Sequence, residues 1–139
     1  MNLANYRILV AEDDYLLSED MAEALREAGS CIVGPVSTAA EAMHLLDGGH
    51  LDGAVLDVGL RDGCVSQVVA ILRRRMIPYV IVSGYDHDLF PDLAPRCTFF
   101  EKPAAAEAVL SQLAVQIMTT RRQTALAGAT PERRQARRV

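Results

Sequence analysis

Two apolar runs of this sequence end in carboxylates. Asp57 closes the run GAVLD, and Glu12 and Asp13 follow the run YRILVA. An unpaired carboxylate is costly to bury, so an acid at the end of a buried strand must be paired, neutralised or exposed at a site. We therefore treat Asp57, Glu12 and Asp13 as candidates for chemistry.

A hydroxyl group and an ammonium group follow two later apolar runs. Ser83, with Gly84 after it, ends the run IPYVIV, and Lys102 follows CTFFE. The carboxyl ends of parallel strands gather at one edge of a sheet. We therefore expect the three carboxylates, the hydroxyl and the ammonium group to share one site.

These residue types indicate phosphoryl chemistry assisted by magnesium. Adjacent carboxylates repel one another unless a cation balances them, and Lys102 supplies one positive charge. Hard oxygen ligands without histidine or cysteine favour Mg²⁺ over zinc or copper. Asp57 would then act as a nucleophile toward phosphorus, while the metal ion and Lys102 balance the charge of the phosphoryl oxygens.

Apolar runs alternate with segments of helical periodicity along the chain. The uniformly apolar strands indicate a parallel sheet covered on both faces, so we predict an α/β, doubly wound (βα)5 fold with five parallel strands. Pro91 and Pro95 should make the fourth helix short or irregular. The predicted strands are 6–11, 31–36, 53–57, 77–86 and 97–102, and the predicted helices are 15–28, 38–46, 63–76, 87–96 and 103–122.

Two helix starts carry capping signals. Thr38 and Glu41 have the spacing of a capping box, and Asp14 is expected to cap the first helix. We expect the three histidines to be solvated and to bind no metal. They are His44, His50 and His87.

The charge is unevenly distributed over the 139 residues. The net charge is −4, but residues 121–139 hold six arginines and one glutamate, so they carry +5 and residues 1–120 carry −9. An acidic body does not favour nucleic acid as a direct partner. We predict one domain over residues 1–122, and a basic tail over 123–139 that is either disordered or a loose helical extension.

The cysteines and the N-terminus point to a reducing compartment. Cys31, Cys64 and Cys97 form an odd set without a CxxC motif, so we expect reduced thiols that are buried or half-buried, and no disulfide or zinc site. Acids stand where a signal peptide would be cleaved, and no apolar run has the length of a membrane span. We expect a cytoplasmic chain without membrane insertion.

Four motifs together resemble the receiver domain of two-component response regulators. They are LVAEDD, VLDVGLRDG, VSGY and FFEKP, in that order, and the resemblance covers about residues 6–118. It implies the flavodoxin-like strand order 2-1-3-4-5. Because too few residues follow for an output domain, we expect a stand-alone domain that acts through protein contacts and is not an enzyme toward other substrates.

The resemblance also implies a role for each site residue. Asp57 would accept a phosphoryl group, and Glu12, Asp13, Asp57 and the backbone carbonyl of Gly59 would hold Mg²⁺. The donor would be a sensor histidine kinase or a histidine phosphotransfer protein. The active state would bind a downstream protein, and a homodimer is a further option.

Other residues would form the switch of such a domain. The hydroxyl of Ser83, next to Gly84, and the ammonium of Lys102 would bind phosphoryl oxygens, and the Lys102–Pro103 bond is often cis in this family. Phe99 stands where an aromatic ring turns inward on activation. Gly59 and Tyr85 would line the path of the water that hydrolyses the aspartyl phosphate.

Three alternatives stand beside this interpretation. A haloacid-dehalogenase-type phosphatase would need a second aspartate where Gly59 stands, and a flavodoxin-like electron carrier would need a phosphate-binding loop where the sequence has EDDY. A receiver-like module that is not phosphorylated and only binds proteins is the third. The complete set of acids, serine and lysine argues against it.

Overall fold

The computed structural model describes residues 2–126, apart from the side chain of Cys64. Five parallel strands form its main sheet in the order β2-β1-β3-β6-β7. Counted among these five alone, the order is 2-1-3-4-5, which confirms the predicted topology. The five strands are β1 (Arg7–Ala11), β2 (Cys31–Val36), β3 (Gly53–Asp57), β6 (Tyr79–Ser83) and β7 (Phe99–Glu101), and β4 (Gly59–Leu60) pairs with β5 (Gly63–Cys64) in a separate antiparallel hairpin.

Helices cover both faces of this sheet. Alternate residues of each central strand enter two separate cores, as in β3, where Val55 lies in one and Leu56 in the other. This two-sided burial explains why the strands are apolar at every position. The four α-helices are α1 (Tyr15–Glu27), α2 (Ala39–Asp47), α3 (Ser66–Arg74) and α4 (Ala106–Leu126).

The helix starts follow the capping signals at two places. Asp14 accepts a hydrogen bond from the backbone N–H of Leu17 at 3.1 Å, which caps α1. Thr38 caps α2 by accepting from the N–H of Glu41 at 3.0 Å. The carboxylate of Asp62 accepts hydrogen bonds from the backbone N–H groups of Ala39 and Ala40 at the same helix end. These bonds hold the pKa of the Asp62 carboxyl below its ordinary value.

The predicted start of the third helix was wrong, whereas the prediction of a short or irregular fourth helix is confirmed. Helix α3 begins at Ser66 and not at Gly63, because Gly63 and Cys64 pair with β4. In place of a fourth α-helix, the chain makes two 3₁₀ turns, His87–Leu89 and Arg96–Thr98. The prolines of this segment account for the interruption, since each removes a backbone donor and restricts the preceding residue.

The last helix extends past residue 122, where the domain boundary was predicted. Helix α4 continues to Leu126, so residues 123–126 are helical, and the rest of the predicted tail lies outside the described residues. Asp52 anchors this helix to the sheet. It accepts hydrogen bonds from the backbone N–H of Arg7 and from the guanidinium of Arg121, both at 2.8 Å, and the Arg121 guanidinium also stacks on the ring of Tyr6.

Two further expectations can be compared with the structure. Cys31 and Cys97 are free thiols, but both are exposed and not buried as predicted. Each lies at or near the start of a strand, outside the two cores.

Within residues 2–126, no helix is long and apolar enough to cross a membrane.

Candidate functional site

The carboxyl ends of four neighbouring strands position the site. Glu12 directly follows β1, Asp57 is the last residue of β3, Ser83 is the last of β6, and Lys102 directly follows β7. The register places Asp57 opposite Val82, one residue before Ser83. The N–H of Lys102 donates to the carbonyl oxygen of Ser83 at 2.7 Å, which fixes the loop after β7 against β6.

Lys102 joins the ends of two strands through its side chain. Its Nζ donates to Oε2 of Glu12 and to Oδ2 of Asp57, each at 3.0 Å. Glu12 and Asp57 are buried, with 8% and 7% of their surface exposed, so these contacts are shielded from solvent. Such a buried arrangement forms only when its charges are compensated. The carboxylate of Asp57 is therefore paired, at a site shared with Glu12.

One ammonium group does not balance the carboxylates at this edge. Oxygen atoms of Glu12, Asp13 and Asp57 all lie within 4.8 Å of one another. The side chain of Asp13 is exposed, whereas the other two are buried. Three hard oxygen donors without histidine or cysteine among them suit Mg²⁺, which prefers carboxylate and water ligands.

Burial and the neighbouring Asp57 both affect the pKa of Glu12. Burial, followed by the neighbouring Asp57 carboxylate, raises the pKa of Glu12 from 4.5 to about 7, against the hydrogen bonds from Asp14 and Lys102 that lower it. Partial burial would lower the pKa of Lys102, but its contacts with Asp57 and Glu12 outweigh burial and raise that pKa above its ordinary value. Lys102 is therefore charged, and a divalent cation would relieve the remaining repulsion.

Ser83 lies at the same edge in a buried position. Its Oγ accepts a hydrogen bond from the N–H of Tyr85 at 2.9 Å, across Gly84. The hydroxyl thus holds the turn after β6 and keeps its own hydrogen available for another acceptor. The peptide bond between Lys102 and Pro103 is cis, as the resemblance led us to expect.

Gly59 and Tyr85 meet beside Asp57. The N–H of Gly59 donates to Oδ1 of Asp57 at 3.3 Å. An atom of the Tyr85 ring lies 3.8 Å from the position that a Cβ at Gly59 would occupy. The ring therefore stands over the space that the glycine leaves open. The role of the Gly59 carbonyl in metal binding stays a prediction.

His87 is a neighbour of Phe99 that the sequence analysis missed. Phe99 is buried, and its ring meets the His87 ring edge-on at 5.0 Å between centroids. The Nε2 of His87 must donate to the carbonyl oxygen of Ala94, 2.7 Å away, because a carbonyl can only accept. The expectation of a solvated side chain was wrong here, since its Nδ1 is buried without a hydrogen-bond partner in residues 2–126.

Comparison with known proteins agrees with this fold. The chain matches no protein-family model. It is 30% identical over 130 residues to the transcriptional regulatory protein PdtaR of Mycobacterium tuberculosis, which covers 88% of this chain and 62% of the relative. The chain thus spans less than two thirds of the length of the curated relatives that it matches.

Two solved structures share this fold. The response regulator receiver protein of Sinorhizobium medicae is 25% identical, with a TM-score of 0.76 over 86% of this chain and 99% of that chain. The response regulator PhyR of Brucella abortus is 24% identical, with a TM-score of 0.75 over 92% of this chain and 54% of that chain. The latter likeness concerns the fold alone.

The fold and the site define a class of protein. This is a CheY-like, doubly wound α/β domain whose acidic site lies at the carboxyl edge of the sheet. Within that class, the chain is similar to response-regulator receiver domains.

Proposed function

We propose that this chain is a phosphorylation-controlled receiver in which Asp57 accepts the phosphoryl group. The observation that supports it best is the contact of Lys102 with both Glu12 and Asp57, inside a set of three converging carboxylates. A structural ion pair would need one carboxylate for one lysine. The surplus of acids instead suits a site that binds a cation and a phosphoryl group.

The transfer forms one bond and breaks another. A carboxylate oxygen of Asp57 attacks phosphorus, the bond from phosphorus to the donor breaks, and the donor leaves with the electron pair of that bond. A histidine imidazole would be the leaving group if the donor is a sensor histidine kinase or a phosphotransfer protein. The Lys102 ammonium and the Ser83 hydroxyl would each hold a phosphoryl oxygen, since both groups can donate hydrogen bonds and both lie at the same strand edge.

Glu12, Asp13 and Asp57 would hold Mg²⁺, together with the carbonyl of Gly59. When bound, the ion would supply positive charge to the phosphoryl oxygens and to the crowded carboxylates. The raised pKa of Glu12 is consistent with this, because burial and, after it, the neighbouring Asp57 disfavour the charged carboxylate, and a divalent cation would favour it.

Phosphorylation would shift the domain between two states that differ in protein binding. The movement of Ser83 toward the phosphoryl group would draw the loop after β6 with it, because the same hydroxyl holds Tyr85. His87 follows Tyr85 by two residues and packs against Phe99, so this pair would rearrange with the loop. A downstream protein would read the change, and the chain would catalyse only its own phosphorylation and dephosphorylation.

Beryllofluoride offers a test, because it binds an acceptor aspartate as a phosphoryl analogue. With Mg²⁺ present, we expect beryllofluoride to raise the melting temperature of the wild type, since it binds only the folded state. Asp57→Asn keeps the size of the side chain and should show no rise. An equal rise in both proteins would contradict the assignment of Asp57.

A further inference from the structure

The outer faces of α1 and α4 border a groove whose walls are acidic. Its volume is about 520 Å³. Asp20, Glu23 and Glu27 follow one another at three- and four-residue steps, so they line a single face of α1. Glu107 faces them from the first turn of α4. The groove is lined by Asp20, Glu23, Ala24, Glu27, Ala28 and Glu107.

These carboxylates lack a counter-charge in the part of the chain that the structure describes. The ion pairs of residues 2–126 involve other acids, and none includes a carboxylate of this groove. Four like charges along one groove repel, and a cationic segment laid between them would relieve that repulsion.

At the end where Asp20 lies, the groove adjoins an apolar cavity. This cavity has a volume of about 260 Å³ and shares Asp20 with the acidic groove. Leu17 and Met21 of α1 and the segment Ala104–Ala106 line it, and Glu12 and Lys102 of the acidic site line it as well. The two helices thus present a face with both apolar and acidic surface, and it suits a basic segment that also carries small apolar side chains.

The chain itself contains a segment of this chemistry. Residues 127–139 hold four arginines and one glutamate, for a net charge of +3, whereas residues 1–126 carry −7. The arginines are Arg133, Arg134, Arg137 and Arg138, so two pairs stand four residues apart. That spacing resembles the spacing of the acids along α1, and alanine and valine residues stand beside the arginines in the sequence.

The segment is long enough to reach the groove. Helix α4 is held to the sheet by Arg121 and ends at Leu126. From there back to Glu107 is about 28 Å along the helix, at 1.5 Å per residue. Thirteen extended residues span about 43–47 Å. Arg137 and Arg138, eleven and twelve residues past Leu126, are about 36–43 Å of extended chain away from it, so they can reach even the far end of the groove.

We propose that residues 127–139 turn back from the end of α4 and bind in the groove between α1 and α4. The arginines pair with Asp20, Glu23, Glu27 and Glu107, and salt weakens the contact because the pairs are exposed. The inference rests on charge, length and position, and it does not depend on phosphorylation.

Paramagnetic NMR on the full chain tests this directly. A spin label is attached at Val139→Cys in a protein whose three native cysteines are serine. At low salt, we expect the amide signals of residues 20–28 to lose intensity, and 500 mM NaCl should restore them. Changing the four arginines to glutamine should restore them as well. Unchanged amide signals at low salt would overturn the proposal.

Two controls establish which acids bind the segment and whether it binds within its own chain. Glu23→Gln with Glu27→Gln should abolish the intensity loss, whereas Asp47→Asn with Asp92→Asn, at exposed positions outside the groove, should preserve it. In a mixture of isotope-labelled chain and spin-labelled chain, the loss should be absent. Loss in the mixture would assign the groove to a second copy and overturn the intramolecular contact.

A second measurement avoids the cysteine substitutions. The amide chemical shifts of residues 20–28 are compared between the wild type and the variant with glutamine at the four arginine positions. We expect differences at low salt that vanish at high salt. Identical spectra at low salt would contradict the proposal.

Discussion

Glu12 carries an electrostatic cost that pH should reveal. Its pKa is about 7 in the folded chain and 4.5 as an ordinary value, so the folded state binds its proton more tightly. The stability that Glu12 contributes is therefore complete below pH 4.5 and is lost as pH rises through 7. In metal-free protein, we expect this loss to be at most about 3 kcal/mol.

The comparison with Glu12→Gln isolates this contribution, because glutamine does not titrate. The free energy of unfolding, measured by urea titration in EDTA, should fall from pH 5 to pH 8 more steeply in the wild type than in the variant. A parallel pH dependence in the two proteins would disprove the raised pKa. Added Mg²⁺ should reduce the difference at pH 8, because it binds the charged carboxylate.

Tyr85 should govern how long a phosphoryl group survives on Asp57. Its ring stands against Gly59, where no side chain blocks the approach of water. We expect Tyr85→Ala to shorten the lifetime of the aspartyl phosphate several-fold, and Tyr85→Phe to leave it unchanged, since the ring is retained. Intact mass measured at intervals after removal of the donor would give both lifetimes. A longer lifetime in Tyr85→Ala would refute the shielding role.

Single residues were predictable where their position follows from the strand ends. Glu12, Asp57 and Lys102 each directly end or follow an apolar run, so the sequence could bring them together. His87 could not be foreseen as a neighbour of Phe99. It lies in a proline-interrupted segment without periodicity, and only the folded chain brings it against β7.

At the scale of elements, Asp52 should hold α4 to the sheet. Its side chain is 7% exposed and bonds to both Arg7 and Arg121. We expect Asp52→Ala to lower the free energy of unfolding by about 1–3 kcal/mol, because it leaves a partly buried backbone donor and a guanidinium unpaired. Asp47→Ala is a matched control at an 81% exposed side chain, and it should change stability by less than about 0.5 kcal/mol.

Urea titration of both variants would check this expectation. Equal effects of Asp52→Ala and Asp47→Ala would show that the contact at the start of β1 does not stabilise the fold. A selective loss in Asp52→Ala would instead locate a stabilising link between residues 69 positions apart.

Helices and strands were predicted well where a long apolar pattern marks them. They were predicted poorly where a short hairpin takes residues that the pattern assigned to a helix. Helix α1 matches its apolar pattern, whose end is marked by Gly29 in a left-handed conformation with φ of +83°. The start of α3 was misplaced, because Gly63 and Cys64 carry no mark of pairing with Gly59 and Leu60. A two-residue strand gives too short a pattern to be read from sequence.

At the scale of the whole molecule, the strand order follows from the family resemblance, and the two-sided cover follows from the apolar strands. The distribution of charge was also readable from sequence. The acidic groove between α1 and α4 could not be predicted from sequence, because it depends on these two helices lying side by side. These two helices are separated in sequence by four strands of the main sheet, so no local pattern could indicate their contact.

The most direct test of the proposed function is the intact mass of the chain after incubation with Mg²⁺ and acetyl phosphate. We expect the wild type to gain one adduct of about 80 Da, as a phosphoryl group requires. The adduct should be absent without Mg²⁺ and absent in Asp57→Asn. A wild type that gains no mass, or an Asp57→Asn variant that gains as much as the wild type, would contradict Asp57 as the phosphoryl acceptor.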